Sequence, residues 1–221
     1  MKLVLLHSPL VGPATWKAVA PLLQARGHDV ALPDLVPIMA EDGPYYPALA
    51  EAAAAAISDP AILIAHSGAG ALVPSIAALE AVKSVVFVDA LLPHPGESWF
   101  AGVPDQLGVR LKGLAKNGKL PPWHAWWPKG AMERLLPDRA QGAAFLAEQQ
   151  ELPLAYFQEA APEIPLTAPS TYLRLSEAYD ADADAAAEAE WPVTRLDLHH
   201  LAMLTHPDRV ALEVERLASQ F

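Results

Sequence analysis

The stretch from Ala61 to Gly70, AILIAHSGAG, constrains the fold more than any other part of the chain. A short apolar run, long enough for one buried strand, ends at His66-Ser67, and a helical pattern resumes at Ala71. Between them stand only small neighbours of the serine: Ala65, Gly68, Ala69 and Gly70. A serine on so sharp a strand-to-helix turn has crowded backbone neighbours, so small residues are needed on both sides, and the turn lifts its Oγ clear of the sheet. That is the logic of the nucleophile elbow, G-x-S-x-G. Ala65 and Ala69 replace both outer glycines, so the steric requirement is met without the strict motif. The competing reading is a serine in an ordinary strand–helix turn, and the surrounding chain decides between the two.

Short apolar runs alternate with helical patterns. Residues 3–6, 29–32, 62–65 and 84–88 read as strands, separated by helical stretches at 16–26 (capped by Gly27), 46–57 and 70–79. Strand character returns at 170–175 and 192–197, a short alanine-rich acidic helix fits 180–190, and a helix over 207–218 closes the chain. The strands lack polar alternation, as expected when helices cover both faces of a parallel sheet. The pattern predicts an α/β fold with a doubly wound, mostly parallel six-stranded sheet. Between 93 and 169 Pro and Trp become dense and the periodic pieces are helical, notably 139–149. This predicts a core of 1–92 and 170–221 with a helical cap insertion at 93–169.

A chain of 221 residues fits one such domain. The formal net charge of −11 argues against nucleic acid as a partner, which needs a basic footprint. The absence of cysteine removes disulfide and thiol chemistry. The N-terminal apolar run is too short for a signal peptide, and no stretch approaches the length of a membrane span. The expectation is a soluble cytoplasmic protein, monomer or homodimer, with a small-molecule substrate, no membrane partner, no metal and no cofactor.

Six strands, a serine turn after the third, an insertion after the fourth and a histidine after the sixth together resemble the α/β-hydrolase fold over nearly the whole chain. The layout is similar to compact members such as small esterases and plant hydroxynitrile lyases. The matching residues are His7 with Gly12 and Trp16; Gly27-His28-Asp29-Val30 with Pro33-Asp34-Leu35; Phe87-Val88-Asp89-Ala90 with Pro93 and Gly96-Glu97-Ser98; and His200-Leu-Ala-Met-Leu-Thr205.

The resemblance implies a cofactor-independent serine hydrolase for a small, largely apolar ester or related carbonyl compound. Ser67 is the expected nucleophile, and it needs a positioned base. Family spacing to Leu204-Thr205 selects His200 over His199. The family's acid follows the strand at 170–175, and the aspartate's usual place holds Ala178. The candidates, in order, are Glu177, Asp180 and, because some members draw the acid from the fourth strand, Asp89. One oxyanion donor is expected from the Gly68 N–H; the residue that normally gives the other is Pro9, which has no N–H, so Leu10 or the Ser8 hydroxyl must substitute. His66 and the cap residues Trp126 and Trp127 are expected to line the pocket. Two other readings keep the fold: a lyase similar to hydroxynitrile lyase, using Ser67 and His200 as acid and base, and a silent binding protein.

Overall fold

The computed structural model describes residues 1–132, 134–136 and 139–221, with the backbone alone for Arg139. Of the expected 93–169 insertion, residues 133, 137 and 138 lie outside the described residues. The strands are β1 (Lys2–Leu6), β2 (Asp29–Ala31), β3 (Ala61–His66), β4 (Val82–Val88), β5 (Lys119–Leu120), β6 (Leu152–Pro153), β7 (Ser170–Arg174) and β8 (Val193–Arg195). Six of them form one sheet in the order β2-β1-β3-β4-β7-β8, and every pairing in it is parallel. The α-helices are α1 (Ala20–Ala25), α2 (Tyr45–Ala54), α3 (Val73–Leu79), α4 (Asp105–Leu114), α5 (Arg139–Ala147), α6 (Leu154–Gln158), α7 (Asp180–Glu188), α8 (Ala202–Thr205) and α9 (Pro207–Ala218).

The apolar runs sort by alternation, because successive side chains on a strand point to opposite faces. Val4, Leu6, Leu63, Val85 and Phe87 pack with Tyr46 and Leu49 of α2, Ile76 of α3 and Ala183 of α7. Leu3, Leu5, Ile62, Ile64, Val86 and Val88 pack on the other face with Leu23 of α1 and Val210, Val214 and Leu217 of α9. Both faces are therefore covered, and the strands can be apolar throughout.

Two expected helices are shorter than their periodicity. The 16–26 pattern yields α1 only from Ala20, after a 3-10 turn at Pro13–Thr15; the 70–79 pattern begins as a 3-10 turn, Ser67–Leu72, before α3. In both cases a proline stands in the first turn of the α-helix, where its missing N–H costs nothing. Within the insertion β5 and β6 form a two-residue antiparallel pair, too short to leave a strand signature in the sequence.

Two glutamates between β4 and β7 bond segments that precede β3. Glu148 accepts from the Ala14 amide (2.6 Å) and from Lys17 (2.5 Å), and Glu159 accepts from the Tyr45 and Tyr46 amides (2.8 and 2.9 Å) at the start of α2. The second pair satisfies helix N-terminal donors that lack an internal acceptor.

A glycine comparison tests the packing. A β-carbon on Gly70 would lie 2.0 Å from the Leu91 carbonyl oxygen, whereas Gly27 has φ +85° and open space around it. Gly27→Ala is expected to cost about 1–2 kcal/mol for its left-handed backbone. Gly70→Ala is expected to lower the melting temperature at least twice as far, since backbone must move; equal losses in thermal melts would contradict this packing.

Candidate active site

Ser67 directly follows β3 with φ +56°, a left-handed conformation unfavourable for any residue but glycine. Ala65 and Ala69 are fully buried and fit without strain, so the expected crowding is real but falls elsewhere. The positions that exclude a side chain are Gly70, against Leu91, and Gly68, whose β-carbon would stand 2.9 Å from Ser8 Oγ.

Asp89 directly follows β4 and is also left-handed, at φ +44°. The two turns are laced together: the Ser67 amide donates to the Asp89 carbonyl (3.2 Å) and the Leu91 amide to the Ser67 carbonyl (3.1 Å). Tyr172 of β7 braces the second turn, its hydroxyl bonding both the carbonyl and the amide of Ala90.

The Asp89 carboxylate is fully buried and well supplied with donors: the Leu175 and Ser176 amides on Oδ1 (2.6 and 2.9 Å), and Ser176 Oγ (2.5 Å) and His200 Nδ1 (2.9 Å) on Oδ2. Burial works to raise its pKa, but the His200 and Ser176 bonds outweigh burial and hold it below the usual carboxylate range. An ionised carboxylate only accepts, so His200 Nδ1 carries the proton and Nε2 is left as a base.

This corrects the expected order of acids. Glu177 is exposed, and Asp180 accepts from Arg174 Nε (2.6 Å) and Arg195 (3.2 Å), so neither holds His200; the third choice, Asp89, does. His199 instead bonds Thr205 Oγ1 (2.8 Å), which also bonds His206 (2.9 Å).

The His200 ring contacts three aromatic groups. Tyr179 stacks on it with ring centroids 4.8 Å apart and planes within 7°, His66 lies at 4.5 Å and 32°, and Trp123 of the insertion lies at 6.1 Å. Tyr179 Oη also forms the hydrogen bond of Ser67 Oγ, at 3.3 Å. Trp123 is one of the insertion's aromatics expected to line the site; Tyr179 was not expected there, and a tyrosine one residue past the vacated acid position was the available clue.

The first-loop residues converge on the same place. His7 is fully buried, and burial pushes its pKa down, so it is neutral: Nδ1 donates to the Ser8 carbonyl (2.8 Å) and Nε2 accepts from the Leu35 amide (3.0 Å). The Leu10 amide donates to Ser8 Oγ (3.3 Å). Leu10 N–H is therefore occupied, and Ser8 Oγ, fed by it, stands beside Gly68 with its own proton to give. The Gly68 amide opens a 3-10 turn, where the first donors have no internal acceptor.

Other expected pocket residues lie elsewhere. His66 is buried, its Nε2 donating to the His200 carbonyl (3.1 Å), and burial followed by repulsion from His200 pushes its pKa well down. It supports His200 from behind instead of facing a substrate. Trp126 is buried among Trp99 and Phe157 and donates to the Pro121 carbonyl (2.8 Å), so it belongs to the hydrophobic core. Trp127 is half-exposed under Arg110, and the tryptophan beside His200 is Trp123. Among the described residues no group of three His, Asp or Glu side chains could hold a metal ion, and no helix is long and apolar enough to cross a membrane.

Comparison with known proteins gives the family and the fold. The profile of the alpha/beta hydrolase family matches residues 3–214, and the chain belongs to that family. No curated protein matches the sequence significantly. An extracellular alpha/beta-hydrolase from a Paenibacillus species, described as sharing homology with tobacco salicylic acid binding protein 2, is similar in structure (TM-score 0.78, 18% identity, 99% of each chain). So are a pyrethroid hydrolase from Sphingobium faniae JZ-2 (TM-score 0.70, 22% identity, 99% of this chain and 97% of the other) and tomato methylketone synthase I bound to 2-tridecanone (TM-score 0.75, 18% identity, 100% and 98%). At such identities the shared property is the fold.

The Asp89 environment has a stability consequence. Its folded-state pKa is depressed, so the stability it contributes is present above the unfolded value, about 4, and is lost as pH falls through the folded value. The stability gap between wild type and Asp89→Asn is expected to be widest near neutral pH and to shrink below about pH 4. Thermal melts across that range check it; a gap that stays constant would contradict the assignment.

Proposed function

We propose that this protein is a serine esterase for small, largely apolar esters, with Ser67 as nucleophile, His200 as base and Asp89 as the acid that orients it. The observation that carries the reading is the 2.9 Å bond from His200 Nδ1 to buried Asp89, behind a serine held at φ +56°. His200 Nε2 takes the Ser67 proton as Oγ bonds the ester carbon, and the carbonyl electrons move onto oxygen. The Gly68 amide and Ser8 hydroxyl receive that oxyanion, the hydroxyl standing in for the amide that Pro9 lacks. Collapse expels the alcohol, which takes its proton from His200, and water then repeats the sequence on the acyl-enzyme. The insertion acts as a cap, with Trp123 giving the site an apolar wall. A cytoplasmic setting accords with the lack of cysteine.

A fluorophosphonate probe tests the reading, with p-nitrophenyl acetate turnover alongside. The expected outcome is an adduct on Ser67 that is absent from Ser67→Ala and strongly slowed in His200→Ala. Asp89→Asn reverses the imidazole tautomer and is expected to lower kcat about 10³–10⁴-fold, while Glu177→Gln stays within about twofold of wild type. No adduct on the wild-type protein would overturn the acyl-enzyme reading. An adduct without ester turnover would favour the lyase or the silent binding protein.

A further inference from the structure

The segment from Leu175 to Tyr179 touches every member of the proposed catalytic set. The Leu175 and Ser176 amides and the Ser176 hydroxyl hold Asp89, the Tyr179 ring lies on His200, and Tyr179 Oη reaches Ser67 Oγ. The same turn is anchored from outside by the Arg174–Asp180 ion pair, and the following helix by Asp182, which accepts from the Leu92 amide. Tyr179 is thus presented on a fixed turn.

Resting on the esterase reading, we propose that Tyr179 is a catalytic residue whose hydroxyl leaves Ser67 Oγ as the acyl bond forms and donates a hydrogen bond to the departing alcohol oxygen. The oxyanion donors, Gly68 N–H and Ser8 Oγ, belong to neighbouring residues, a β-carbon on Gly68 standing 2.9 Å from Ser8 Oγ. Tyr179 arrives with its ring against His200, the group that must protonate the leaving oxygen. A hydroxyl 3.3 Å from Oγ and stacked with the imidazole stands where that oxygen must pass. Burial pushes the hydroxyl's pKa upward, so it stays protonated and can only assist as a donor.

The proton count is unchanged by this assistance. As the tetrahedral intermediate collapses, the bond from carbon to the alcohol oxygen breaks and its electron pair goes to that oxygen. His200 Nε2 transfers the proton it took from Ser67 to the same oxygen. Tyr179 keeps its own proton and stabilises the charge in transit. Help of this kind matters most where the leaving group is a poor one, so the site is suited to esters of aliphatic alcohols more than to activated aryl esters.

Leaving-group dependence gives the test. The full-length enzyme and Tyr179→Phe are compared in kcat/KM on p-nitrophenyl, phenyl and ethyl acetate, together with the rate of fluorophosphonate labelling. Loss of a hydrogen bond to developing charge is expected to cost about 10- to 100-fold on ethyl acetate. The p-nitrophenyl ester and the probe, whose leaving groups need less assistance, should lose clearly less, so that the loss grows from p-nitrophenyl to phenyl to ethyl acetate; an unchanged circular dichroism spectrum and melting curve show that the variant is folded. Equal losses across all substrates and the probe, or no loss on ethyl acetate, would overturn the role given to Tyr179. Wild-type protein that neither labels at Ser67 nor turns over any of the esters would instead overturn the esterase reading itself.

Discussion

Two backbone hydrogen bonds, Ser67 N–H to the Asp89 carbonyl and Leu91 N–H to the Ser67 carbonyl, join turns that would each be unfavourable alone. A non-glycine residue in the left-handed region costs about 1–2 kcal/mol, and here two such residues follow neighbouring strands. The parallel register of β3 and β4 ends with His66 opposite Val88, so Ser67 and Asp89 leave the sheet at the same level. Each turn satisfies the other's backbone groups, and Gly70 lets them close to contact. Everything placed near Ser67 depends on this pairing, which lies beyond the carboxyl ends of the strands, where open α/β sheets place their sites.

Packing around the laced turns then comes from both ends of the chain. The loop after β1 brings Ser8 against Gly68, with His7 held neutral as a structural pin between the Ser8 carbonyl and the Leu35 amide. The turn after β7 brings Ser176 and Tyr179, and the loop after β8 brings His200. His66, whose ring rests against the edge of Trp16, bonds the His200 backbone and fixes its height over the sheet. Between β4 and β7, Trp99, Trp126 and Phe157 pack on one another and join the core on one face of the sheet, while Trp123 reaches His200.

Sequence made the sheet legible because parallel strands buried on both faces are apolar runs, and their order along the chain is their signature. It also marked Ser67, whose small neighbours are a local steric requirement, and the family resemblance marked His200 by its spacing to Leu204-Thr205. The acid was not legible. Glu177, Asp180 and Asp89 are alike as residue types, and what separates them is long-range: Asp89 meets four donors, Asp180 meets two arginines, and Glu177 meets solvent. Trp126 and Trp127 were expected at the pocket because aromatic density does not say which ring turns inward. For Tyr179 the only clue was its place one residue past the vacated acid position, since its importance lies in two contacts made across the fold.

Asp89, and neither carboxylate after β7, holds the His200 imidazole. Proton NMR of the ligand-free protein tests it without any substrate. An imidazole N–H bonded to a buried carboxylate resonates far downfield and exchanges slowly. One such signal is expected, lost in His200→Ala and in Asp89→Asn and unchanged in Glu177→Gln and Asp180→Asn. A signal that survives Asp89→Asn and disappears with Glu177→Gln or Asp180→Asn would contradict it.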